Sequence, residues 1–299
     1  MLAADEIPAL SAEQLSAWLR RIGFNKVPES PTLPLLNALI TGHLGHIPFE
    51  NLDALLGRRV AIDVPAVFDK LVHQGRGGYC FELNTLFCAG LKALGYAVTP
   101  LAARVRWNVP EATPTGLSHM LLRVEVAHES YIADVGFGGP TPDRALSLSL
   151  PLSLPLSPPP DEGTPYRLLP VPPAAAGTSF HCHDLAVRDA TVDESGWRVM
   201  YRFDLTPQPQ IDFVARNWYV STHPDSHFTR SLMVARTDGD TRLSLGNGSL
   251  TERAPDGSVR KSELASADTV IDTLAARFRI RLDADLRAAL AERLPAVIG

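Results

Sequence analysis

Cys80, His119 and Asp134 occur in this 299-residue chain in the order of a thiol triad. A cysteine attacks as the thiolate, so its proton must be taken away. A histidine within reach accepts that proton and holds the sulfur anion as an ion pair. A carboxylate behind the imidazole fixes its tautomer and favours its charged form. The chemistry these residue types offer is covalent catalysis at sulfur.

Such a triad works only if the elements bring its members together. Cys80 lies in Arg76-Gly77-Gly78-Tyr79-Cys80-Phe81-Glu82-Leu83-Asn84, a glycine-bearing loop running into a helix. Leu83, Leu86, Phe87, Leu91 and Leu94 follow at spacings of three and four, one face of a helix, with Gly95 as its C-terminal stop. Cys80 therefore falls at or near a helix N-terminus, where unpaired N–H groups favour an anion. That end contributes about 0.3–1 kcal/mol, up to about 2 when partly buried. Alone this is too little to ionise an ordinary thiol at neutral pH, so a nearby imidazolium is required.

The earlier residues read as helices. Ser11 and Gln14 have capping-box spacing ahead of a helix over 11–22, and Leu10 and Leu15 have staple spacing. Thr32 caps a second helix over 33–44, and Asp63 a third over 65–72. Pro48 forces Ile47 out of helix.

After residue 95 the period changes to two. Strands are predicted over 97–107, 119–126 and 131–135. Met120, Leu122, Val124 and Val126 share one face; His119, Leu121, Arg123 and Glu125 share the other. With Ala127-His128 as a two-residue turn, Met120 pairs with Val135, Leu122 with Ala133 and Val124 with Tyr131. His119 then becomes a diagonal neighbour of Asp134, about 7–8 Å apart by backbone, a gap two side chains can close. Between 140 and 173 stand 11 of the 25 prolines, and Pro151 and Pro155 on one side suit an edge strand or covering arm. A further hairpin is predicted over 180–190 and 197–205, with Ser195-Gly196 in its turn. Short strands at 232–236 and 242–245 flank the approach to a Gly246-Asn247-Gly248 turn, and helices over 270–278 and 283–294 close the chain.

On spacing alone the same residues have plainer readings. A lone cysteine in an apolar helix is commonly inert core. His119 also suits a polar strand end, and Asp134 a turn before Gly136. His181-Cys182-His183-Asp184 lacks a second ligand pair at zinc spacing, so no metal is expected. His223 and His227 read as loop polar groups, and Cys88 as core. Gly136-Phe137-Gly138-Gly139 opens no helix and makes no phosphate cradle.

Composition excludes several classes. Net charge is −5, with no basic stripe, so nucleic acid is not an expected partner. No uncharged apolar run reaches 18 residues, so no membrane span is expected. Three cysteines without a CxxC pair argue against a disulfide framework and, with no signal-peptide pattern, for a reducing cytoplasm.

The motifs together carry a resemblance. RGGYCFELN (76–84) resembles the active-site motif of the arylamine N-acetyltransferase family. So do IPFENLD (47–53), ARVRW (103–107), SHMLLRVEV (118–126), YIADVGFGG (131–139) and STHPDSHF (221–228). The matches span residues 15 to about 250, and the last 50 match poorly. The resemblance implies an α+β fold with a cysteine-protease-like Cys-His-Asp core. Its parts would be a helical bundle over 1–95, an antiparallel β-barrel over 96–210 and an α/β lid over 211–299. It implies acetyl-CoA as co-substrate and an arylamine, arylhydrazine or arylhydroxylamine as acceptor, by a ping-pong route. Cys80 would be the nucleophile, His119 the base and Asp134 its orienter. Phe49, Phe137 and Phe228 would line the acceptor pocket, Gly138 would sit beside the donor, and Arg76 and Glu82 would brace the loop. An amide synthase taking a larger acyl donor and a cysteine hydrolase are the alternatives on the same triad. A binding module without catalysis would need a triad member missing, and none is.

Overall fold

The computed structural model describes residues 6–149, 165–173, 181–189, 192 and 196–298. Helix α1 is Ala12–Arg21, with Ser11 and Gln14 closing the predicted capping box. Helix α2 is Leu33–His46, capped by Thr32, and ends where Ile47 turns extended. Strand β1 (Phe49–Glu50) and a single turn, α3 (Leu52–Leu55), follow. Helix α4 (Val64–Phe68), capped by Asp63, runs on as a π-turn over Asp69–His73. Helix α5 is Cys80–Ala93 and stops before Gly95, whose φ of 86° suits glycine. Trp18, Leu39, Phe81, Leu83, Phe87 and Leu91 of these helices fill one core.

A seven-stranded antiparallel sheet comes next, in the order β5-β4-β3-β2-β8-β7-β6. Its strands are β2 (Ala97–Val105), β3 (Leu117–Val126), β4 (Glu129–Ala133), β5 (Leu146–Ser147), β6 (Tyr166–Val171), β7 (Cys182–Arg188) and β8 (Trp197–Phe203). Leu146 of one edge strand and Tyr166 and Leu168 of the other pack into the same interior cluster, so the sheet is nearly closed. The predicted arm is an edge feature where it is described: Pro170 lies in β6, whose partner in the sheet is β7. Pro151 and Pro155 lie outside the described residues.

Strand β3 serves two cores. Met120, Leu122, Val124 and Val126 pack against the helices, and Leu121 faces the sheet interior. The β3–β4 register is the predicted one at Leu122–Ala133 and Val124–Tyr131. Ala127 and His128 both have positive φ, 50° and 70°, as a two-residue turn matching strand twist requires. The third predicted pair, Met120 with Val135, does not form. The Asn84 side chain fills that place, donating to the Met120 carbonyl (2.7 Å) and accepting from the Val135 N–H (3.2 Å).

The last part begins with α6 (Gln210–Thr222) and the turn α7 (His227–Arg230). A five-stranded sheet follows, ordered β1-β9-β10-β11-β12, with β9 at Met233–Asp238, β10 at Thr241–Gly246, β11 at Ser249–Arg253 and β12 at Val259–Glu263. Helices α8 (Ala267–Ala276) and α9 (Ala284–Arg293) cover it, and α10 is Pro295–Ile298. Residues 210–222, 249–253 and 259–263 carried no predicted element. Strand β1 comes from the first 95 residues yet pairs with β9.

One buried group works against the helical core. His43 is fully buried, and neither ring nitrogen has a hydrogen-bond partner. Burial, with Arg21 and His46 nearby, pushes its pKa down to about 3. The folded state thus refuses a proton that the unfolded chain accepts below its ordinary 6.5, so stability falls as the pH drops from there toward 3. His43→Leu is expected to raise stability by about 1–3 kcal/mol. Urea melts should show that gain growing from pH 7 to pH 5; a gain unchanged with pH would contradict the account.

Candidate active site

Cys80 is the first residue of α5, and Tyr79 before it is extended. The Glu82 carboxylate reaches back to accept the Tyr79 N–H at 3.0 Å, which fixes the helix start. Cys80 is 3% exposed, and its Sγ lies 3.7 Å from the Ser118 carbonyl. That carbonyl is presented by a β-bulge. Ala103 pairs with His119 and Arg104 with Leu117, so Ser118 has no partner across the ladder. Bulges re-aim side chains in this way beside functional sites.

His119 and Asp134 are each 2% exposed, and Nε2 of the imidazole meets Oδ2 of the carboxylate at 2.7 Å. With Nε2 engaged, Nδ1 is the nitrogen left for the sulfur, and Cys80 acts with Asp134 in raising the imidazole's pKa. Burial alone would lower the His119 pKa, but Asp134 and then Cys80 outweigh it and raise it. Burial likewise opposes charge on Asp134. His119, the Asn84 amide (3.0 Å) and the Gly136 N–H (2.8 Å) overcome it, and the carboxyl is held below its ordinary range. The site stabilises an imidazolium–carboxylate pair beside a thiol.

Close packing sets this geometry. A Cβ on Gly136 would fall 2.7 Å from the Cys80 Cα, so only glycine lets the end of β4 approach the helix start. Gly138 has φ 74°, and a Cβ there would sit 3.0 Å from the Phe49 ring, which explains a glycine before any ligand is considered.

The expected aromatic residues fall into two walls. Phe49 lies 6.2 Å from Phe228 between ring centroids, and Phe228 lies 5.2 Å from Tyr79. Phe137 stands edge-on to His119 at 5.5 Å and near Trp107 at 6.3 Å. The contact of Gly138 with Phe49 links the two walls.

Arg76 and Glu82 belong to a larger buried cluster than the motif suggested. Arg76 Nε donates to Glu50 at 2.9 Å, and Lys70 Nζ reaches both Asp53 and Glu82 at 2.6 Å. The Glu50 backbone N–H also bonds the Gly78 carbonyl at 2.8 Å, tying β1 to the nucleophile loop. Burial pushes the Glu82 carboxyl up to about 7, and Lys70 is the largest influence opposing it. Lys70→Met should therefore cost about 3–5 kcal/mol, because it strands a buried carboxyl. An acid whose folded pKa is raised favours folding at low pH, so the deficit should shrink from pH 8 to pH 5. Lys70→Met/Glu82→Gln should recover most of it in urea melts; a double variant as weak as the single would refute the pairing.

Sequence reasoning missed Asn84, Tyr201, Lys70 and Ser118. Asn84 stands four residues after Cys80, the spacing of one helix face, and that signal was available. Tyr201 is fully buried with its ring 4.9 Å from His119, but it arrives through the β2–β8 pairing, which no local pattern reveals. His183 and Asp184 have partners other than the triad: His183 stacks on Phe203, and Asp184 pairs with Arg202 at 2.8 Å. Among the described residues no cluster of three His, Cys, Asp or Glu is placed to hold a metal ion, and no helix is long and apolar enough to cross a membrane.

Comparison with known proteins bears on this geometry. A family model described as N-acetyltransferase matches residues 32–287. The arylamine N-acetyltransferase of Mycobacterium tuberculosis is 38% identical over 293 residues, covering 96% of this chain and 97% of that one. A Salmonella typhimurium protein named arylamine N-acetyltransferase / N-hydroxyarylamine O-acetyltransferase is 38% identical over 227 residues, 72% of each chain. The structure of the Mycobacterium marinum arylamine N-acetyltransferase in complex with CoA matches with a TM-score of 0.82 at 36% identity, covering 95% of this chain and 99% of that one. The match therefore extends well past residue 250, where the motifs faded.

Proposed function

Because this chain belongs to the arylamine N-acetyltransferase family, we propose that it moves the acetyl group of acetyl-CoA onto arylamines, arylhydrazines and arylhydroxylamines by way of an acetyl-cysteine at Cys80. The observation that carries the mechanism is the buried His119–Asp134 pair beside a thiol at the start of α5.

In the first half-reaction the Cys80 thiolate attacks the acetyl carbonyl. The first N–H groups of α5 face the oxyanion that develops. The bond from the acetyl carbon to the CoA sulfur breaks, and the His119 imidazolium gives its proton to that sulfur. One thioester replaces another, so the step is nearly neutral in energy and reversible. In the second half-reaction the neutral amine attacks the acetyl-cysteine. His119, now the free base, takes the amine proton through Nδ1, and Cys80 leaves as the thiolate. The starting ion pair is restored. Asp134 keeps Nε2 protonated throughout, which leaves the Nδ1 lone pair toward the reacting atoms.

Each wall has a part in this reading. Phe49, Phe137 and Phe228 bury the acceptor ring, and Gly138 lies beside the donor. Residues 1–95 supply the nucleophile, 96–210 the base and its carboxylate, and 211–299 the covering part. Cys80 and Cys88 are in no disulfide, which suits a reducing, cytoplasmic setting.

The test is intact-protein mass spectrometry after mixing with acetyl-CoA and no acceptor. A mass gain of one acetyl group, mapped to Cys80 and discharged by aniline, is expected. No adduct, or one that water removes as fast as aniline, would overturn the reading, the second outcome indicating a hydrolase. A stronger adduct with longer acyl-CoA donors would point to an amide synthase instead.

A further inference from the structure

Helix α6 supplies no group to the proposed chemistry, yet it grips the side chains on both sides of the nucleophile. The Phe213 ring packs on Phe81 with centroids 5.9 Å apart. The Tyr79 hydroxyl donates to Asn217 Oδ1. Tyr79 is 1% exposed and Asn217 6%, so this is a polar tether inside an apolar setting. The amide is itself fixed, since Asn217 Nδ2 donates to the Val60 carbonyl at 2.9 Å. Both ends of the amide are thus used, which leaves its orientation determined rather than free.

The other face of the Tyr79 ring matters. It lies 5.2 Å from Phe228, which lies 6.2 Å from Phe49. The tyrosine is therefore the back of the aromatic wall next to Cys80, and its position is set from its far end. A tyrosine ring has two soft torsions, and a bonded hydroxyl removes that freedom. Without the tether, only packing against Phe81 and Phe228 holds the ring, and the wall is less firmly set.

We propose that Asn217 is a specificity-determining positioning residue, which holds Tyr79 so that the aromatic wall beside Cys80 keeps the shape against which the acceptor ring is selected. This deepens the acceptor reading above and rests on it. Nothing in the tether touches the reacting atoms, so its effect falls on the fit of the acceptor and on KM more than on kcat.

The experiment is a double-mutant cycle with Asn217→Ala, Tyr79→Phe and the double variant. Tyr79→Phe keeps the ring and every apolar contact, so it guards against a fold lost at Asn217→Ala. Two readouts are used. One is the ratio of kcat/KM for aniline to that for 2-naphthylamine. The other needs no turnover: the ratio of Cys80 alkylation rates by N-phenyliodoacetamide and iodoacetamide. Each single variant should shift both ratios by about tenfold, through KM in the first case, and the double should shift them no further. Ratios unchanged in Tyr79→Phe, or a double variant equal to the product of the singles, would overturn the proposal. If the parent takes no acetyl group, the acetyltransferase reading fails, while the alkylation ratios still decide for or against the tether.

Discussion

Cys80→Ser is expected to lower the acetyl transfer rate by about 10⁵-fold or more, the scale seen when a nucleophile is removed from an acyl-transfer triad. The surroundings are arranged for a thiolate. The raised His119 imidazole and the helix start stand at this position, and a serine hydroxyl holds its proton far more tightly than a thiol does. The oxygen is also smaller than the sulfur and sits closer to the backbone, which takes it away from Nδ1. The fold should tolerate the change, because the new hydroxyl stands where the thiol faces the Ser118 carbonyl. Steady-state rates with acetyl-CoA and aniline, read beside thermal melts, make the check. A variant that folds and retains a tenth of the parent activity would mean that Cys80 is not the acyl carrier.

Asp134→Asn is expected to cost about 10⁴-fold in kcat/KM. Asparagine keeps the shape and offers an acceptor to the Gly136 N–H, so the β4 exit should stay in place. What it loses is the charge that raises His119. Burial then dominates at the imidazole and favours its neutral form, and the asparagine amide no longer selects the tautomer protonated on Nε2. Stability gives an independent reading. Asp134 is lowered below its ordinary 3.8, so its contribution is present above that pH and is lost as the pH falls through the folded value. His119 is raised above its ordinary 6.5, so its contribution is full below that pH and fades as the pH rises through the folded value. The stability gap between parent and variant should therefore be widest between pH 3.8 and 6.5. A gap that keeps widening above pH 7, or a kcat/KM within tenfold of the parent, would show that the pair does not act as a unit.

The sequence by itself determined the elements that carry the triad. Capping residues and apolar spacing are local signals, and Ser11, Thr32, Asp63 and Gly95 mark the helix ends they were read to mark. Alternation along β3 separated the two faces, and the apolar pairs with Tyr131 and Ala133 fixed the hairpin register. That register was enough to set His119 near Asp134.

Other elements left no such trace. Helix α6 exposes Ile211, Val214, Trp218 and Tyr219 on one face and buries Phe213 and Val220 on the other, which blurs the helical period. Strand β12 is exposed along its whole length, so nothing alternates. Strand β1 has two residues, and its partners, β9 and Gly78, both lie far along the chain from it.

Tertiary structure alone decided how the site is held. The bulge at Ser118, the Asn84 bridge between Met120 and Val135, Tyr201 beside the imidazole, the Lys70 brace and the Asn217 tether all join residues distant along the chain. Short-range patterns report what a segment buries and how it turns. They do not report which buried polar group will meet which, because that depends on the approach of whole elements, and at this site those approaches place the charge and the walls.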